Sequence, residues 1–185
     1  NEMESLESKK LMAKVIKEIG LESDIIQPGR FQDVELYGAA SPIVVRVIND
    51  KPFIKRLKPV KVNMNGDVLE LSGEGISTIK TTYGKTIGLP YANIIIIKNN
   101  RFKSVAGDKK ISQLLLDISS IDNRVIGYQK ALNVMLVNKD ATVIKLSMNS
   151  PTPEKAKMII NKLVEAYNGD AIDDKNSESK KTAEF

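Results

Sequence analysis

Apolar positions recur along the chain with two different periods, and the change of period marks out its elements. Near the start, Met12, Val15, Ile16 and Ile19 repeat at the three-four spacing of one helical face. Gly20 follows as a left-handed cap, and Gln27-Pro28-Gly29 then breaks the chain. Beyond that break the period falls to two. Val60, Val62 and Met64 alternate on one side of Asn65-Gly66, and Leu69 and Leu71 alternate on the other. Asn-Gly tolerates positive φ, so it predicts a two-residue hairpin turn here. Residues 94–97 are four isoleucines, the length of a buried strand, and Asn99-Asn100 is expected to turn 94–98 back into a strand over 102–105. Asn138-Lys139-Asp140 separates 132–137 from 141–148 in the same way. Connections this short force antiparallel neighbours. Between these two hairpins, Ile111, Leu114, Leu115 and Ile118 have helical spacing and predict a short amphipathic helix.

The last helix has the fullest set of signals. Thr152 can cap it, Pro153 suits the first helical position, and Glu154 favours the positive end of the helix dipole. Ala156, Ile159, Ile160, Leu163, Val164 and Tyr167 then form an apolar stripe. The stripe ends before Gly169, and residues 170–185 are nearly all polar, with five acids and three lysines. Composition alone makes this segment a disordered tail. The other reading is a helix that leaves the domain and expects a partner. Together the elements predict an α+β fold: a mainly antiparallel sheet with an N-terminal helix, a short middle helix and a long C-terminal helix. The expected division is a base domain over 1–168 and the start of a helical arm over 169–185.

Composition narrows the chemistry. Aromatics are 5% of 185 residues and Trp is absent, so the core must be mostly Ile, Val and Leu. Without His there is no His-containing triad, imidazole proton shuttle or zinc–His site. Without Cys there is no thiol nucleophile, disulfide or Cys-ligated metal. Asp, Glu, Lys, Ser and Tyr remain for catalysis, and an enzyme acting on sugars through two converging carboxylates is a third reading. No motif gathers such groups, so the expectation is no catalytic, cofactor-binding or metal-binding residue, and no cofactor. The net charge of +5 is uneven: residues 46–61 hold six basic side chains against Asp50, and 98–110 hold five against Asp108. Such stretches suit a nucleic-acid or anionic-lipid footprint, or simply the solvated faces of strands and loops. Phe53 and Phe102 alone do not make a base-stacking platform, so a basic nucleic-acid-binding module is the alternative reading and no nucleic-acid partner is expected. No run reaches the roughly 20 apolar residues of a membrane span. The opening Asn1-Glu2 has no signal-peptide pattern and reads as a boundary inside a longer protein.

Several motifs tempt and fail. Gly84-Lys85-Thr86 ends like a phosphate loop, but the required glycine five residues before Gly84 is Ile79. The segment Ile87-Gly88-Leu89-Pro90 after it is strand and turn, not the helix such a loop needs. Gly73-Glu74-Gly75 lacks the third glycine of a dinucleotide fingerprint. Asp173 and Asp174 are adjacent, so on a helix they point about 100° apart and make a poor acid/base pair. Tyr37, Tyr83, Tyr91, Tyr128 and Tyr167 read as core or edge aromatics.

The two ends carry a resemblance. Glu4-x-Leu6-x-Ser8 precedes Val15-Ile16-x-x-Ile19-Gly20-Leu21; Glu35-Leu36-Tyr37-Gly38 precedes Ser41-Pro42-Ile43. The fullest match is Ser150-x-x-Pro153-x-x-Ala156-x-x-Ile159-x-Asn161-x-Leu163-x-x-x-Tyr167, with Thr182-x-x-Phe185 beyond it. In order and spacing these resemble the Wzz/Wzc family of polysaccharide co-polymerases (chain-length determinants) and bacterial tyrosine autokinases. The resemblance implies a non-catalytic, extracytoplasmic region on the periplasmic face of a bacterial inner membrane, with a span on each side in the parent protein. It implies a ring-like homo-oligomer that works with polysaccharide polymerase or export machinery, or with the glycan itself. A cytoplasmic kinase domain could follow in the parent. Its phosphate loop and tyrosine-rich tail have no counterpart positions here.

Overall fold

The computed structural model describes residues 9–51, 58–104, 110–138 and 141–183. The chain forms two compact units: one within residues 20–120, the other from the segments before and after it.

The middle unit is built of strands. They are β1 (Ser23–Gln27), β2 (Val34–Leu36), β3 (Ile43–Asp50), β4 (Val60–Asn65), β5 (Val68–Gly73), β6 (Ile76–Thr82), β7 (Thr86–Gly88), β8 (Ala92–Lys98) and β9 (Gln113–Ile118). One antiparallel sheet has the order β2-β1-β9-β4-β5-β6, and a second has the order β3-β8-β7. Alternate residues of both sheets enter one core. Val60 and Val62 of β4, Leu69 and Leu71 of β5, and Leu114, Leu116 and Ile118 of β9 come from the larger sheet. Ile43 and Val45 of β3, Ile87 of β7, and Ala92, Ile94 and Ile96 of β8 come from the smaller. This period-two burial from two inner faces is a sandwich arrangement.

Local signals explain the turns. Asn65 pairs with Val68, so the hairpin closes on Gly66-Asp67, one residue later than Asn65-Gly66 predicts. Gly66 has φ +61° while no non-glycine residue among those described has positive φ. Positive φ at the first central residue alone is the pattern of a type II′ turn, whose backbone twist matches that of the strands.

Two expectations about the middle are corrected. The helix expected around Ile111–Ile118 is instead β9, which lies between β1 and β4. Its sequence carries both periods. Leu114, Leu116 and Ile118 alternate into the core, and two strand neighbours supply the hydrogen bonds that make the period of two win. The middle helix lies further on. Likewise, residues 102–104 do not form a strand returning along β8. Both edges of β8 are already taken, by β3 and β7. The turn is present, with Phe102 N–H donating to the Asn99 carbonyl at 3.0 Å, but Lys103 N–H goes to Ala39 at 2.9 Å. Val105 lies outside the described residues.

The other unit holds helix α1 (Lys9–Ile19), α2 (Ile121–Ala131), the two-stranded hairpin β10 (Leu132–Asn138) and β11 (Ala141–Met148), and α3 (Pro153–Ala183). Leu11, Met12, Val15 and Ile16 are the buried face of α1, and Gly20 follows with φ +68°. The Thr152 carbonyl accepts the first helical bond of α3, from Ala156 at 3.1 Å, which places Pro153 at the first helical position as predicted. Ser150 Oγ accepts from Thr152 N–H at 3.1 Å and steadies the entry. Among the described residues of α3, the buried ones are Lys155, Ala156, Ile159, Leu163 and Ala166. The stripe is thus centred on Ile159 and Leu163, with Ile160 only partly buried and Val164 exposed. Ion pairs Lys14–Asp170 (3.0 Å) and Lys162–Glu18 (3.2 Å) join α1 to α3 in antiparallel sense. Helix α3 passes straight through Gly169 and reaches Ala183.

The fold is α+β, with N-terminal, middle and long C-terminal helices and mainly antiparallel sheets. Among the described residues no helix is long and apolar enough to cross a membrane.

Candidate anion-binding cleft

The tempting motifs resolve into structural turns. Gly84, at φ +79°, lies in the connection from β6 to β7, and Ile79 is a β6 residue. Glu74-Gly75 closes the β5–β6 hairpin. Asp173 and Asp174 lie on α3. Among the described residues, no group of three or more metal-ligating side chains could hold a metal ion.

The middle unit does contain a cleft of about 760 Å³. Its floor and walls are Leu36, Ala40, Pro42, Met64 and Ile111, together with the rings of Tyr83 and Phe102. Its polar rim carries Lys98, Lys103 and Lys110 with Gln27, Asn99 and Ser104. No carboxylate is among the described lining residues. The sequence holds part of this signal, because three of these lysines and Phe102 fall in the basic stretch 98–110. What sequence reading misses is that Tyr83 and the 36–42 segment meet that stretch. They arrive on the β6–β7 turn and on the connection that follows β2.

One side chain organises the junction. Asn99, at the end of β8, donates from its amide to the Gly38 carbonyl at 2.9 Å and to the Ser41 carbonyl at 2.7 Å. Its backbone N–H donates to Pro42 at 2.9 Å, and its side-chain oxygen accepts from Arg101 N–H at 3.0 Å. Asn99 therefore clamps the short 3-10 turn Gly38–Ala40 to the end of β8. Ser41 completes the turn: its buried Oγ donates to the Ile43 carbonyl at 2.7 Å and accepts from Ile43 N–H. A network with its polar atoms paired fixes the wall of the cleft rather than leaving it to adapt.

The lysines are not equivalent. Lys98 donates to Asp67 and lies 5.2 Å from the centre of the Tyr83 ring. That hydrogen bond holds the Asp67 carboxyl below its ordinary range and pushes the Lys98 ammonium up. Burial pushes the Tyr83 phenol up, against the opposing charge of Lys98. Lys103 and Lys110 have no ion-pair partner among the described residues. Both are exposed and stay available to an incoming anion.

The rest of the basic charge is spread out. In the stretch 46–61, Lys51 donates to the Leu89 carbonyl at 2.9 Å and Lys58 pairs with Glu74. Arg46 packs its guanidinium over Gly20, where a Cβ would come within 2.5 Å of Nη1. Phe53 lies outside the described residues. The remaining tyrosines scatter: Tyr37 precedes the 3-10 turn, Tyr91 is buried in the sandwich core, Tyr128 is on α2 under Lys155, and Tyr167 is on α3.

No protein-family profile and no curated protein matches the chain.

Proposed function

We propose that this chain is the extracytoplasmic, non-catalytic region of a bacterial inner-membrane regulator of polysaccharide chain length or export, which works by assembling with copies of itself. Two things support the reading: the order and spacing of the motifs that resemble the Wzz/Wzc family, and the course of α3. The observation that carries it is α3. At 31 residues it is about 46 Å long by the rise of an α-helix. Its last buried residue among those described is Ala166, and beyond it Ile172 stands exposed. A helix that outlasts its apolar stripe gains little from its own fold, since packing supplies most helical stability in proteins. It is built to meet another surface. In the parent protein that surface is a returning helix or a neighbouring copy, and spans on either side hold the copies at one membrane face. The region then positions polymerase, export machinery or growing glycan, and any kinase chemistry belongs to a separate cytoplasmic domain.

Sedimentation in mild detergent tests this on two versions at matched concentration. The chain alone is expected to sediment as a monomer or weakly associated species, and the version carrying both spans as a large ring. A span-containing version that stays monomeric contradicts the proposal.

A further inference from the structure

The cleft beside Asn99 has no role in assembly as described, yet it has the features of a ligand site. It falls in the size range of small-ligand pockets, its walls are apolar, and a few polar groups converge on its rim. We infer that this cleft binds an acidic saccharide, with Lys103 and Lys110 holding its anionic groups and the rings of Tyr83 and Phe102 receiving the apolar faces of its sugars. The inference rests on the polysaccharide reading above for the choice of saccharide. The charge and shape of the cleft stand independently of it.

Each part of the lining has a consequence. Lys103 and Lys110 put like charges on one cleft with no carboxylate among its described lining residues, so an anion entering there meets ammonium groups that no described carboxylate pairs. Lysine is a point charge on a flexible stem, which suits carboxylates spaced along a polymer better than one rigid, bidentate geometry. Lys98 plays a different part. Its charge is already engaged by Asp67, and it covers the Tyr83 ring from one side. Gln27, Asn99 and Ser104 bring amide and hydroxyl groups to the same rim, where sugar hydroxyls can pair. Asn99 is held by five hydrogen bonds to backbone groups, so the wall it forms is set before the ligand arrives. A nucleic-acid strand needs a basic groove that tracks its backbone over several nucleotides. In the other basic stretch, Lys51 and Lys58 are instead tied to Leu89 and Glu74.

Calorimetry on the intact chain at low ionic strength decides the matter, with oligogalacturonate as the acidic probe. A neutral dextran oligomer, inorganic phosphate and a short single-stranded DNA serve as comparisons. Oligogalacturonate is expected to bind, to weaken as salt is added, and to bind at least about tenfold less tightly to K103A/K110A, the loss expected from two charge-assisted hydrogen bonds. Phe102→Ala is expected to weaken it further. Because Lys103 and Lys110 are exposed, the double variant should melt with the parent chain. No binding of oligogalacturonate, equal binding of dextran, phosphate or DNA, or unchanged affinity in K103A/K110A would each overturn the inference. None of these results touches the assembly proposal, which sedimentation reads separately.

Discussion

The strand unit and the helical unit solve the problem of burial in different ways. In the sandwich of residues 20–120, inner-face side chains such as Val60, Val62, Leu69, Leu71, Ile94, Leu114 and Leu116 lose essentially all contact with water. Two sheets cover one another, so every strand has a partner for its apolar face. Among the described residues the helical unit has fewer such side chains: four on α1, Val125 on α2, and a stripe on α3 whose last buried member is Ala166. It also leaves Met135, Leu136, Val137 and Val143 exposed on a hairpin of only two strands, an element marginal by itself. The difference teaches where each unit gets its stability. The sandwich closes its inner faces on each other and exposes Phe31, Val34, Ile48 and Val68 only outside that core. The helical unit has a smaller core and presents apolar surface that a partner can still cover.

Core truncation breaks this comparison most strongly. Leu116→Ala, at the centre of β9, should cost about 2–5 kcal/mol. Leu163→Ala should cost less, about 2–3 kcal/mol, because a thinner core can relax around the cavity. Urea melts that reverse this order would show that the helical unit, not the sandwich, is the rigid part. Ile160→Ala should be milder than Leu163→Ala, which checks the facing of α3.

An alkaline titration sharpens the picture of the sandwich core. Burial, with the nearby charge of Asp117 adding to it, pushes the Tyr91 phenol up to about 12. Its folded value then exceeds the ordinary value of about 10. Above pH 10 the unfolded chain gives up this proton while the folded chain keeps it, so stability falls as pH rises. The loss should reach up to about 2 kcal/mol as pH approaches 12, with none below pH 9 from this group. Tyr91→Phe should flatten that limb. The smallest expected effect is at the entry to α3, where Thr152→Ala should cost about 1 kcal/mol as capping is lost.

Much of this was legible in the chain because local chemistry and burial agree. The α1 periodicity with Gly20 after it, the Thr152-Pro153 entry to α3, and the two tight hairpins each carry their own signal within a few residues. The β9 strand was not legible. The segment Gln113–Ile118 holds three consecutive leucines, and only pairing with β1 and β4, distant in sequence, selects the period of two. The strand expected after Asn99-Asn100 failed for the same reason, since the occupancy of both edges of β8 is a tertiary fact. The cleft was half visible. Its lysines form a run, but the clamp by Asn99 on the Gly38 and Ser41 carbonyls appears only when β8 meets the 3-10 turn.

The central claim is that the far half of α3 is made for a partner, and amide hydrogen exchange along that helix tests it directly. In the isolated chain, amides over 168–183 should exchange much faster than those of Ile159 to Leu163 and of strands β4 and β9, because no described residue there is buried. In a version extended by the two membrane spans of the proposal, the same amides should become protected while the sandwich stays unchanged. Equal protection of 168–183 in both versions, or no gain in the assembled one, would contradict the account.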